Sequence, residues 1–270
     1  MKLSISHIAW PPEQEEFYLK RLAEYGCTGL EIAPSRLWPE PLEAGKRERL
    51  ALKNRVQVWG LEISALHALL YQRNDLGLFR APEVEARTIA YLEGLCVLAA
   101  DLGARVLVFG SPKNRRRGEL PYDQALAQAV RFFSRVAIRA AEVGVRLCIE
   151  PLGPGETDFI STAREGLTLV EMVNHQGFGL HLDAKAVAAE GEDFSGTIRP
   201  VLHRVEHFHI NDPDLVEVNS SGAVNHAALG QTLTNLGYRK YVSIEMRTLP
   251  EYPQAIERSL RLARRVYIDD

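Results

Sequence analysis

Four short apolar runs in the second half of the chain each end on a side chain that binds metals readily. They are Arg146-Leu-Cys-Ile-Glu150, Phe178-Gly-Leu-His-Leu-Asp183, Val205-Glu-His-Phe-His209 and Tyr241-Val-Ser-Ile-Glu245. A lone acid at such a point is more often a helix N-cap or an ion-pair partner. Four ionisable groups in register differ, because charges converging on one end of a buried sheet repel one another or neutralise unless a cation offsets them. The three carboxylates Glu150, Asp183 and Glu245 with the imidazole of His209 form a mixed oxygen and nitrogen set. It suits one divalent ion, Mn²⁺ or Mg²⁺ first, with Zn²⁺ or Co²⁺ as the alternatives.

The elements that must position these groups follow from the pattern around them. Each run has strand length and β-branched or aromatic content and gives way to turn residues such as Pro151, Asn211 or Pro250, so each group falls at a strand's C-terminal end. Parallel α/β sheets keep their chemistry at that end. The first half carries the same rhythm. A strand from Lys2 stops at Pro11-Pro12, a helix runs through Tyr25, and further strands are expected at Thr28–Ala33, Glu62–His67 and Arg105–Phe109. Helices are expected at Pro41–Trp59, Pro82–Leu102, Tyr122–Val143, Thr162–Asn174, Phe194–Leu202, Asn225–Leu236 and Tyr252–Tyr267. Eight strands and eight helices in strict alternation over 270 residues predict one parallel-sheet domain spanning 1–270, and the near-regular period favours closure as a (β/α)8 TIM barrel.

Composition narrows the function. With 32 basic and 35 acidic residues the net charge is −3, so no global field invites nucleic acid. No run reaches the roughly 18 apolar residues of a membrane span, and no secretory leader pattern opens the chain. Cys27, Cys96 and Cys148 are widely spaced, odd in number and without a CxxC pair, which reads as buried thiols in a reducing compartment. A cytoplasmic location is the expectation. Neither GxGxxG after the first strand nor GxxxxGK[ST] is present, so dinucleotide and nucleoside triphosphate binding lose their support.

Ile149-Glu-Pro-Leu152, His181-Leu-Asp183, His207-Phe-His209 and Ser243-Ile-Glu-Met246 resemble the motifs of the xylose isomerase-like barrels. The resemblance covers the whole chain and is to the sugar phosphate isomerase/epimerase superfamily, which includes ketose 3-epimerases, hydroxypyruvate isomerases, inosose dehydratases and apurinic/apyrimidinic endonucleases. It implies that Glu150, Asp183, His209 and Glu245 ligate the metal, and that Glu150 and Glu245 also transfer protons on the two faces of a substrate carbon. A metal bridging a ketone and the adjacent hydroxyl acidifies the α C–H bond and stabilises a cis-enediolate. The resemblance likewise implies that Glu156 and His67 meet substrate hydroxyls, and that the partner is a small keto-sugar or keto-polyol. Barrels of this kind often pair, which makes a homodimer the expectation.

Departures from the pattern matter. Ketose epimerases carry a histidine three positions after the strand-six aspartate, where this chain reads Asp183-Ala-Lys185-Ala186, and an arginine after His209, where it reads Asn211-Asp-Pro-Asp214. Lys185 can bind an anionic substrate group, act as acid or base with a depressed pKa, or pair with a neighbouring acid. These changes keep a metal-dependent dehydratase of an inosose-like substrate open beside the isomerase reading. A non-catalytic sugar-binding barrel ranks below both, and a repair nuclease comes last because the extra histidines of a three-metal cluster are missing. The basic run Lys113-Asn-Arg-Arg-Arg117, with Arg115 at its centre, follows strand four and either captures an anion or is simply solvated. Trp10 and Trp38 stack on a sugar face or pack in the barrel mouth. Strand alternation is read here as turning His207 away from His209, toward the helix layer.

Overall fold

The computed structural model describes residues 1–191 and 193–269. Among them, eight parallel strands close in sequence order. They are β1 (Lys2–Ser6), β2 (Cys27–Ile32), β3 (Glu62–Leu66), β4 (Val106–Phe109), β5 (Arg146–Ile149), β6 (Phe178–Asp183), β7 (Val205–Ile210) and β8 (Tyr241–Ile244). Pairing of β1 with both β2 and β8 shuts the barrel. The helices are α1 (Glu15–Leu22), α2 (Pro34–Leu37), α3 (Lys46–Gln57), α4 (Pro82–Leu102), α5 (Tyr122–Glu142), α6 (Ala163–Val173), α7 (Ala184–Glu190), α8 (Phe194–Ile198), α9 (His226–Asn235) and α10 (Tyr252–Ala263). The (β/α)8 TIM barrel expected from the alternation is therefore the fold.

Side-chain chemistry explains why the helices seat where they do. On α5 the buried residues Ala125, Ala129, Phe132, Phe133, Val136, Ala137 and Ala140 recur at spacings of three and four, one face of a helix. Phe133 stacks on Phe178 at 4.8 Å between ring centres and meets Phe109 edge-on at 5.3 Å, so α5 clamps the outward rows of β4 and β6. Burying an aromatic of this size contributes about 1.5–3 kcal/mol. Helix ends obey local rules too: α4 begins on Pro82 and stops at Gly103 with φ +85°, and Thr162 and Glu165 cap α6 reciprocally.

Strict alternation is broken after β2, where α2 and α3 both precede β3, and again after β6. Helix α7 starts directly after β6 because Asp183 caps it, accepting the Ala186 N–H at 2.9 Å, so β6 is followed by two helices. The helix expected over Phe194–Leu202 ends at Ile198 and resumes as a 3₁₀ turn at Leu202–Arg204, with Pro200 between them lacking the N–H a continuous helix needs. Cys27, Cys96 and Cys148 are buried and unpaired, and burial pushes each thiol's pKa up. No helix of the described residues is long and apolar enough to cross a membrane.

Candidate functional site

Strands β5 to β8 are successive neighbours, and their C-terminal ends carry Glu150, Asp183, His209 and Glu245. His209 is the hub. Its Nδ1 lies 3.5 Å from Glu150 Oε1 and 3.4 Å from Glu245 Oε2, and this buried nitrogen has no hydrogen-bond partner. Behind each acid stands another imidazole, with His181 Nε2 3.5 Å from Glu150 Oε1 and His67 Nδ1 3.4 Å from Glu245 Oε1. The far nitrogen of His67 is held by Ser6 Oγ at 2.6 Å. Asn211 Nδ2 donates to Asp183 Oδ2 at 2.5 Å and to Glu245 Oε2 at 3.0 Å, tying a third carboxylate to the group. Glu150 finds its place because residue 110 is glycine: a Cβ there would occupy the position of Glu150 Oε2.

The electrostatics separate these groups. Burial opposes ionisation of Glu150, yet His181 and His209 outweigh it and hold its pKa below the ordinary carboxylate range. Glu245 is lowered in the same way, by His209 and His67 against burial. Burial pushes Asp183 up to about 6, opposed by the Lys185 ammonium and reinforced by Glu150 and Glu245. His181, desolvated and beside His209, falls to about 4 and is neutral. An unpartnered imidazole nitrogen thus faces two carboxylates, and buried His and Glu groups of this kind could hold a metal ion. Among the described residues, three groupings of ligand-type atoms fall within 4.8 Å of one another, and His209 belongs to each.

A cavity of ≈ 360 Å³ opens over these residues. Its polar wall includes His67, Glu150, Glu156, Lys185, His209 and Glu245, and its apolar wall Leu70, Tyr71, Leu152 and Leu215. Lys185 Nζ reaches Glu156 Oε1 at 2.8 Å and stands 3.6 Å from Asp183 Oδ1.

A family model described as a xylose isomerase-like TIM barrel matches residues 19–266 of this chain. The chain belongs to the xylose isomerase-like TIM barrel family. It is 25% identical over 255 residues to a D-psicose 3-epimerase of Ruminiclostridium cellulolyticum, covering 91% of this chain and 83% of the relative. To an L-ribulose 3-epimerase of Mesorhizobium japonicum it is 28% identical over 163 residues, covering 60% of this chain and 54%, about half, of the relative. In fold it is similar to a solved D-psicose 3-epimerase with D-tagatose from Clostridium cellulolyticum H10, with a TM-score of 0.83, 21% identity and 99% of each chain covered.

Within this xylose isomerase-like barrel two expected substrate contacts lie off the cavity. Trp10 is buried beneath the mouth, stacked on Tyr18 at 4.7 Å with its indole N–H donated to Glu15 Oε2 at 2.9 Å. Arg115 is fully buried as well, its Nη2 donating to the Ile160 carbonyl at 3.4 Å, while Lys113 of the same run lines the cavity. Burial lowers the Arg115 pKa to about 10, and Glu150 and Glu156 oppose the shift, so it stays charged at neutral pH. Lys185 does not have the depressed pKa of a lysine base. Burial alone would lower it, but Asp183, Glu150 and Glu156 raise it and keep the ammonium charged.

The expectation for His207 is corrected. Residues two apart on a strand share a face, so His207 and His209 both point into the barrel, where each Nε2 meets Glu31 Oε1 at 3.1 and 3.0 Å. Glu31, His181 and Asn211 were given no role from the sequence. The same two-residue period would have found them: His181 lies two before Asp183, Asn211 two after His209, and Glu31 is an acid inside an otherwise apolar strand end.

Proposed function

We propose that this barrel is a divalent-metal-dependent isomerase or epimerase, moving a proton at the carbon beside the ketone of a small keto-sugar or keto-polyol. The observation that carries the reading is His209 Nδ1, buried, unpartnered and within 3.5 Å of both Glu150 and Glu245. Membership of the family and the ketose 3-epimerases among the relatives support it. Glu150, Asp183, His209 and Glu245 would hold the ion, with Mn²⁺ or Mg²⁺ favoured by three oxygen donors. Bound there, it would supply Lewis acidity, which makes the C–H on the carbon beside a ketone more acidic.

The remaining chemistry belongs to side chains. Glu150 and Glu245 take a proton from the carbon and return one to it. Glu156, held by Lys185, and His67, held by Ser6, accept and donate hydrogen bonds at substrate hydroxyls. Leu70, Tyr71, Leu152 and Leu215 form the apolar side of the cavity. One observation favours a second reading, dehydration. The charged Lys185 ammonium stands 3.6 Å from Asp183 Oδ1 and is a proton donor for a departing β-hydroxyl.

Incubation of the Mn²⁺-loaded protein with D-psicose, L-ribulose and D-tagatose in D₂O tests both. Deuterium in the recovered ketose, abolished by Glu245→Gln in a folded protein, is the expected result, whereas stoichiometric loss of water would establish the dehydratase. Neither exchange nor water loss across a panel of keto-sugars and keto-polyols would overturn catalysis.

A further inference from the structure

We infer that Glu31 is a positioning residue for His209: one buried carboxylate, shared among His207, His209 and Ser243, fixes the ring so that its Nδ1 faces the space between Glu150 and Glu245. This rests on the metal reading above. Glu31 is 0% exposed and sits on β2, while His209 is on β7, with β1 and β8 between them in the closed order. The contact therefore crosses the barrel interior. It can do so because β1 and β8 contribute the small residues Ser6 and Ser243 at this level, both fully buried.

The accounting of donors and acceptors sets the tautomer. Glu31 Oε1 meets His207 Nε2 at 3.1 Å and His209 Nε2 at 3.0 Å, and Oε2 meets His209 Nε2 at 3.1 Å and Ser243 Oγ at 2.7 Å. An ionised carboxylate only accepts, so each imidazole must present its hydrogen on Nε2. With the hydrogen on Nε2 directed at Glu31, Nδ1 is the ring nitrogen left to face Glu150 and Glu245, and it has no hydrogen-bond partner. His207 and Ser243 hold the carboxylate from two further directions and oppose its rotation away from His209. Carboxylates that orient ligand imidazoles in this way commonly change metal affinity by about 10- to 100-fold when removed.

The test uses the full chain and two probes: the Mn²⁺ dissociation constant by titration calorimetry and the visible absorption spectrum of the Co²⁺ form. Glu31→Gln should raise the Mn²⁺ constant about 10- to 100-fold and shift the Co²⁺ bands, while Ser4→Ala, which deletes another buried hydroxyl of the barrel interior, one bonded to Ser64 Oγ at 2.7 Å, stays within about threefold of the parent. A Glu31→Gln constant within threefold of the parent overturns the inference, and so does an equal loss in both variants, which would report general damage to the interior. Should Glu31→Gln fail to fold, Ser243→Ala decides, since it deletes only the hydroxyl on Oε2: a weaker Mn²⁺ constant supports the inference and an unchanged one overturns it. A parent protein that binds neither ion defeats the metal reading itself.

Discussion

Lys185 Nζ lies 2.8 Å from Glu156 Oε1, an ion pair across the polar wall of the cavity between the first turn of α7 and the loop after β5. Neither element positions its residue alone; each charge holds the other. Lys185→Met keeps the aliphatic stem and deletes the charge, freeing Glu156. Turnover of the accepted ketose, measured as kcat/KM, should fall about 10- to 100-fold, the scale of a lost charged hydrogen bond, with bound metal unchanged. Loss of metal instead would assign the lysine's effect to Asp183.

Gly110 tests the packing behind Glu150. A methyl group there occupies the position of Glu150 Oε2, so Gly110→Ala must displace the carboxylate. Deuterium exchange should fall at least 100-fold, in line with losing a general base, while the melting temperature moves by only a few degrees. A variant with normal exchange would remove Glu150 from proton transfer.

Metal content distinguishes ligand from cap at Asp183. His209→Ala and Asp183→Ala should each lose the ion, read by mass spectrometry of the purified protein. Asp183→Ala should also destabilise the apo fold by about 1 kcal/mol, because it removes the N-cap of α7. Asp183→Asn retains a capping oxygen, so it should restore apo stability while leaving metal binding weak. Metal content equal to the parent's in all three variants would refute the site.

Acid stability should report a different cluster. Asp212 accepts from His226 Nε2 at 2.8 Å, from Ser221 Oγ at 2.5 Å and from two backbone N–H groups, and His226 Nδ1 meets Tyr267 at 2.7 Å. Burial works against its ionisation, but these hydrogen bonds outweigh it and hold its pKa down to about 2. A lowered carboxyl stabilises the fold fully above its unfolded pKa of about 4 and loses that contribution as pH falls toward 2. Asp212→Asn should therefore cost about 2 kcal/mol at pH 7 and nearly nothing at pH 2, checked by denaturant unfolding at both. A constant difference across that range would disprove the linkage.

The barrel was legible because its signals are local and repeated. The helical pattern of Pro82–Leu102, stopped by Gly103, matches α4 to the residue, and Phe178–Asp183 matches β6. Helix α7 was not legible, since Ala184–Glu190 is too short to show a clear period and depends on a cap from a residue that also belongs to the strand. The surroundings of Trp10 were not legible for a related reason. Its place at a strand end is a statement about sequence, while its burial against Tyr18 and Glu15 is set by the angle at which α1 packs.

By itself the sequence determined the order of the strands, and with it the set of acids and imidazoles delivered to one end of the barrel, because side-chain period and turn residues are properties of neighbouring positions. Only the tertiary structure decided which of those groups meet. Closing eight strands brings Glu31 of β2 within 3.0 Å of His209 on β7, a pairing separated by 178 residues, and joins Asn211 to both Asp183 and Glu245. Such contacts depend on barrel diameter, strand stagger and the small side chains that leave room between them, quantities set by the closed sheet as a whole and carried by no single stretch of chain.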